Sequence, residues 1–385
     1  MWEEADIPIS PVSISDMIRV VENRDKIKVT RFDVAEPYFN PPENAVKATC
    51  KAVKEGYNRY SPTKGIPELR EGLSCFLKES RGVVYSPEEI IVTPGSKFAS
   101  YCVFASLLKP GDEVILLTPF WSSFKAIPTL LGVRNIKEVL TDPPYRLNRK
   151  RFQEQVTDKT KLVVLNTPNN PTGGILDKSD LEFIVDLALE KNFYILSDEV
   201  DWAYTYDGNV HYSPAAIKSG FERTIIIDSF SKVFCMTGWR VGFAAGPRSV
   251  IDKMNIIQQH TVTAPVTFAQ KACFEILADY KKYVKNLVSS ALNKRNMIVD
   301  GLRKINRLKY HVPAGAFYLF PRDLECVNSE TLSIELLNKA HVAVTPGAIF
   351  GKGSEYNFRI CYAIPDEELK EGISRLVGFF ESSPT

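Results

Sequence analysis

From residue 89 onward the chain alternates short apolar runs with longer segments in which apolar residues recur every three or four positions. The runs are EIIVT (89–93), EVILL (113–117), KLVVLN (161–166), YILSD (194–198), TIIID (224–228) and RVGFAAG (240–246). Runs apolar at consecutive positions predict strands covered on both faces. The intervening SKFASYCVFASLL and KSDLEFIVDLALEKN have the spacing of amphipathic helices. Strands alternating with helices predict an α/β fold, a mostly parallel sheet with helices on both faces. After about residue 275 the pattern changes to a long charged helix, DYKKYVKNLVSSALNKRNMIVDGLRK, and short strands around GAFYLF and FRICYA. The expected division is a large domain over 46–275 and a smaller α+β domain from 1–45 and 276–385. No repeat or low-complexity tract interrupts this, and the end ESSPT reads as frayed.

Composition narrows the partners. The 385 residues are 44% hydrophobic, enough for an extended core. The 48 basic and 46 acidic residues are spread through the chain, so no basic footprint points to nucleic acid. No stretch approaches the roughly 20 apolar residues of a membrane helix, and the start MWEEADIPISPVS lacks the charge and apolar core of a secretory signal. Seven scattered cysteines (50, 75, 102, 235, 273, 326, 361) form neither a CxxC pair nor a metal spacing with the four histidines. They read as reduced thiols of a cytoplasmic protein that holds no metal.

In such sheets ligands bind beyond the carboxyl ends of the strands, so the loops TPGSK, TPFW, NTPNNPTGG, SDEVDW and SFSK are the places to seek chemistry. In TPGSK, Gly95 precedes Ser96 and Lys97 at a helix start, a seat for phosphate or a plain turn and cap. SFSK followed by GWR adds Ser229, Ser231 and the guanidinium of Arg240, which suits phosphate as well. Lys232 lies between them; such a lysine meets water unless it is desolvated, when its amine can attack a carbonyl to form a Schiff base. Asp198, costly to bury alone, becomes reasonable beside a protonated ring nitrogen. Phosphate, reactive lysine and ring-binding aspartate together describe pyridoxal 5'-phosphate. Trp121 either stacks on that ring or fills the core.

These residues resemble the fold-type I, class I/II pyridoxal-phosphate aminotransferases of the aspartate aminotransferase family, from AEPYF at 35 to FRICYA at 358. The resemblance implies a seven-stranded sheet. In SFSKVFCMTGWRVG it makes Lys232 the cofactor lysine and Arg240 the phosphate arginine. In NTPNNPTG it puts Asn170 on the ring oxygen, near the substrate, and in SDEV it puts Asp198 on the ring nitrogen. YNRYSPTKGIPELR implies that Tyr60 reaches the phosphate of the neighbouring subunit, hence a homodimer with shared sites. FRICYA makes Arg359 the grip on the substrate carboxylate, and Trp121 falls where the ring-stacking aromatic is placed. The implied reaction passes an amino group from an amino acid to a 2-oxo acid by a ping-pong route, with Lys232 as general base. A β-lyase, decarboxylase or cyclase on this fold is the alternative, and a non-catalytic binder of the cofactor is the rival from another class.

Two positions depart from that pattern. Asp201 stands where the family has a tyrosine donating to the ring oxygen, and an ionised carboxylate can only accept. Asp201 is therefore protonated, or turned toward a cation, or replaced in its role by Trp202 or Tyr204. Ala35 stands where a glycine usually offers its amide to the substrate, which is tolerable unless φ is positive there. The aromatics Trp2, Phe39, Trp202 and Tyr204 suit an aromatic substrate or packing, whereas an Asp201 facing the substrate would favour a basic one.

Overall fold

The computed structural model describes residues 12–382. Its main sheet comprises β1 (Ile90–Thr93), β2 (Glu113–Thr118), β3 (Asn135–Leu140), β4 (Thr160–Asn166), β5 (Tyr194–Asp198), β6 (Thr224–Ser229) and β7 (Gly242–Ala245). The order is β1-β7-β6-β5-β4-β2-β3. β7 runs antiparallel to both neighbours and every other pair is parallel. Six strands therefore end, and β7 begins, at one edge, and the loops named above converge there.

Period-two alternation explains why the runs are apolar throughout. Val114, Leu116, Leu162, Val164 and Leu196 pack on one face with Ala99, Cys102 and Val103 of the helix Ser96–Leu107. Their neighbours Ile115, Leu117, Val163, Leu165 and Ile195 pack on the other with Leu181, Ile184 and Val185 of the helix Lys178–Lys191. That helix stops at Asn192, whose φ of 60° is the left-handed conformation asparagine tolerates at a helix end. β3 was not among the runs read from the sequence. Two of the six residues of its NIKEVL are charged and only Val139 is buried, as an incompletely covered edge strand allows, with Lys137 paired to Glu113 at 2.7 Å and Glu138 to Lys125 at 3.0 Å.

The smaller sheet has β10 (Phe358–Cys361) between β8 (Tyr318–Leu319) and β9 (Thr345–Pro346), both antiparallel to it. The long charged helix spans Tyr280–Leu302 and packs on the helix Asp366–Ser382. Glu381 and Ser382 thus continue a helix rather than fray as expected; the last three residues, like Trp2, lie outside the described residues. Thr30–Arg31 pairs with Val342–Ala343, which joins the start of the chain to this later part. All seven cysteines are free, four of them buried. Among the described residues no helix is long and apolar enough to cross a membrane.

Candidate active site

Register sets the first acid. Asp198 ends β5 opposite Asn166 of β4 and Ile227 of β6. It is buried, and among the described residues its carboxylate accepts only the Val200 N–H, at Oδ1 and 3.1 Å. Burial pushes this carboxyl well above the ordinary carboxylate range, and the neighbouring Asp201, Asp228 and Glu199 add to the shift. A cationic ring nitrogen would supply the positive partner it lacks.

β6 continues into the lysine. Ser229 is extended, with φ −154° and ψ 161°, and its Oγ accepts the Ser231 N–H at 3.3 Å, starting the short helix Phe230–Val233. Lys232 projects from that turn, and its Nζ donates to the Ala35 carbonyl. Desolvation lowers the pKa of this amine; Asp201 and Cys361 oppose the shift and Arg359 reinforces it. Ala35 is outside the left-handed region, so alanine is accommodated where the resembled family has glycine.

A cradle lies where β1 meets β7, with Thr93 opposite Gly242. Gly95 has φ 82° and ψ 163°, and a Cβ on it would lie 2.6 Å from Arg240 Nη2. A Cβ on Gly242 would lie 2.6 Å from the Ser96 nitrogen. Arg240, itself at φ 57°, donates to the Thr237 carbonyl at 2.8 Å. Lys97 Nζ stands 4.9 Å from the Trp121 ring centre, and burial, then the charge of Arg240, lowers its pKa. Among the described residues no carboxylate pairs with Lys97 or Arg240, which leaves a space suited to an anion. Gly95→Ala forces alanine into backbone that only glycine adopts freely, a strain of about 1–3 kcal/mol, and crowds the guanidinium. The dissociation constant for pyridoxal phosphate, followed by fluorescence titration, should rise by about tenfold or more; unchanged affinity would separate Gly95 from the phosphate.

The other cation comes from the smaller sheet. Arg359 of β10, opposite Thr345, is 6% exposed. Its Nη1 donates to Asn170 Oδ1 at 2.9 Å, and its Nη2 to the Asp33 carbonyl at 2.7 Å and Thr345 Oγ1 at 3.1 Å, while its Nε has no hydrogen-bond partner among the described residues. Asn170 is held in turn by Asn166 Oδ1, which accepts its N–H at 2.7 Å. A buried guanidinium without a carboxylate suits an incoming carboxylate.

The structure thus gathers Ala35, Ser96, Lys97, Trp121, Asn170, Asp198, Ser229, Ser231, Lys232, Arg240 and Arg359 around one sheet edge. Tyr60 is not among them: it is 90% exposed in the single chain. Sequence reasoning missed Arg81, which is buried at the end of the helix Pro67–Arg81 and bonds Glu199 at 3.0 Å and also Asp228. The signal was present in the two acids that sit without explanation beside Asp198 and at the end of TIIID.

Residues 27–376 match the family described as aminotransferase class I and II. The chain is 38% identical to an aspartate aminotransferase of Pyrococcus abyssi over 90% of each chain. It is 38% identical to aromatic-amino-acid aminotransferase 2 of Thermococcus litoralis over 89% of each. Among solved structures, an aspartate aminotransferase double mutant of Thermus thermophilus superposes with a TM-score of 0.92 at 33% identity, covering 98% of both chains.

Proposed function

The chain belongs to the class I and II aminotransferases, pyridoxal-phosphate-dependent enzymes that pass an amino group from an amino acid to a 2-oxo acid, and on that premise we propose how its residues divide the work. When bound, the cofactor supplies an aldehyde for the amino group and a cationic ring that draws electron density from the substrate α-carbon. One observation supports the assignment: three sets of charges meet at one end of the sheet, each without its opposite among the described residues. Asp198 lacks a cation, Arg359 lacks a carboxylate, and Lys97 with Arg240 lacks an anion. A ring nitrogen, a substrate carboxylate and a phosphate complete them in that order.

In this reading Asp198 keeps the ring nitrogen protonated, and Ser96, Lys97, Ser229, Ser231 and Arg240 hold the phosphate. Trp121 covers the ring. Arg359 and Asn170 fix the substrate carboxylate, so that the α-proton faces Lys232. With its pKa lowered by burial, the Lys232 amine can take that proton at Nζ and return it elsewhere. Relatives are named for aspartate and for aromatic amino acids, and what those donors share is the α-carboxylate. Tyr60, exposed in one chain, serves the phosphate of a second copy in a homodimer.

Hydride reduction tests the lysine. Borohydride treatment of the protein loaded with pyridoxal phosphate should leave the cofactor mass on the peptide carrying Lys232. An unmodified Lys232 peptide in the mass spectrum would defeat the assignment.

A further inference from the structure

Away from Asp198, Lys232 and Arg359 the chain holds a further set of charges without opposites. It surrounds an open cleft of about 410 Å³, within the range of small-molecule sites. One wall is Pro119, Leu140 and Tyr145, at and just beyond the ends of β2 and β3. The other is a ribbon in which Leu308–Lys309 pairs antiparallel with Arg322–Asp323, joined by His311, Lys352 and Ser354. None of the residues assigned to the cofactor or the substrate lines this cleft.

Register makes one face of the ribbon cationic. Arg322 is the partner of Lys309, and residues opposite each other in an antiparallel pair project on the same side. Like charges placed in this way repel and weaken the pairing. Asp323, one position on, projects to the other side, where it is buried and accepts from Arg307 at 2.6 and 2.7 Å. The other acids flanking these segments are engaged too. Glu325 pairs with Arg307 at 3.4 Å, Glu138 with Lys125 at 3.0 Å and Asp142 with Arg151 at 2.8 Å, and Glu355 accepts the Gly353 N–H at 3.0 Å. Lys309, His311, Arg322 and Lys352 are exposed, no acid lines the cleft, and among the described residues none of the four is ion-paired. Ser354 is wholly buried, and among the described residues its hydroxyl has no hydrogen-bond partner.

We infer that the cleft is a second binding site, for a small organic phosphate. Its phosphate lies among Lys309, Arg322 and Lys352, and the rest of the molecule rests on Pro119, Leu140 and Tyr145. Arg322 presents a planar fork that matches phosphate oxygens, and the two lysines add point charges. A phosphate monoester brings about 1.5–2 negative charges at pH 7, which answers more of this set than a single carboxylate does. Placed between Arg322 and Lys309, the anion turns their repulsion into two attractions. A molecule held by both walls also ties the loops after β2 and β3 to the ribbon.

Inorganic pyrophosphate probes the anionic half of this ligand. It is titrated by calorimetry into the pyridoxal-phosphate-loaded enzyme at about 0.15 M salt, so that the cofactor's own phosphate seat is filled. It should bind once per chain with a dissociation constant below about 1 mM. Arg322→Gln combined with Lys352→Gln should raise that constant about tenfold or more and leave amino transfer without pyrophosphate at the wild-type rate. A control combining Lys253→Gln with Lys285→Gln, exposed lysines that do not line the cleft, should bind pyrophosphate as the wild type does. A wild-type constant above about 1 mM, equal affinity in wild type and cleft variant, or an equal loss in the control overturns the site. Should the cleft variant not fold, Lys309→Gln is read the same way. The titration reads binding and not turnover, so its outcome stands apart from the role given to Lys232.

Discussion

Lys232→Ala chains lose amino transfer by about 10⁴-fold, since both the attacking amine and the general base disappear with one side chain. Activity should return when they are refolded together with Tyr60→Ala chains. In the proposed homodimer with shared sites, one site of a mixed dimer would combine Lys232 of the second chain with the partner subunit's Tyr60, both intact. Random pairing makes half of the dimers mixed, each with one of two sites whole, so a mixture recovers about one quarter of wild-type activity. Each variant alone is assayed by formation of the 2-oxo acid. A mixture no more active than its components would show that the sites are not shared, and unimpaired Lys232→Ala would remove the lysine from the chemistry.

The second large effect is on stability. Arg81→Met leaves Glu199 and Asp228 buried without the guanidinium that bonds both, and breaking a buried pair from one side costs about 3–5 kcal/mol. In the intact protein burial alone would raise Glu199, but the His211 ring, Arg81 and Ser213 outweigh it and hold the carboxyl at about 2. A depressed folded pKa means that its stabilising contribution is present above the ordinary carboxylate range and is lost as pH falls toward about 2. Without Arg81 that contribution shrinks, so the difference between variant and wild type should be widest near neutral pH and narrow in acid. Urea denaturation at several pH values measures it. Equal midpoints at pH 7 would mean that Arg81 does not hold these strand ends together. Adding Glu199→Gln and Asp228→Asn to Arg81→Met should restore part of the loss, because no ion is then stranded.

Much of the molecule was legible before any coordinates, and the reasons differ by element. Six strands were readable because they are buried along nearly their whole length, which leaves an unbroken apolar run even in β1 at one edge of the sheet; β3, at the other edge, was not, because only Val139 of its six residues is buried and it carries charge. The reversed direction of β7 was hidden, since side-chain alternation reads the same both ways along a strand. Lys232 and Arg240 announced themselves through their neighbours in one short segment. Arg81 did not, because its partners lie 118 and 147 residues away and the helix that carries it looks ordinary. Asp201 was visible as a departure, but that both its carboxyl oxygens and the Trp202 Nε1–H are buried without a hydrogen-bond partner among the described residues, while the Tyr204 hydroxyl is taken by the Lys232 carbonyl, required three dimensions.

The antiparallel β7 has a geometric consequence. Because it enters the sheet where β6 leaves, the connector between them need only double back, and it carries both the amine of Lys232 and, eight residues later, the guanidinium of Arg240. In the proposed reading, the span from reactive nitrogen to anion anchor is therefore set by a short stretch of chain rather than by how distant parts dock. On that reading the connector would act as a gauge: a phosphorylated aldehyde whose two ends are spaced differently from those of the vitamin B6 ring should reach one terminal of the gauge and miss the other.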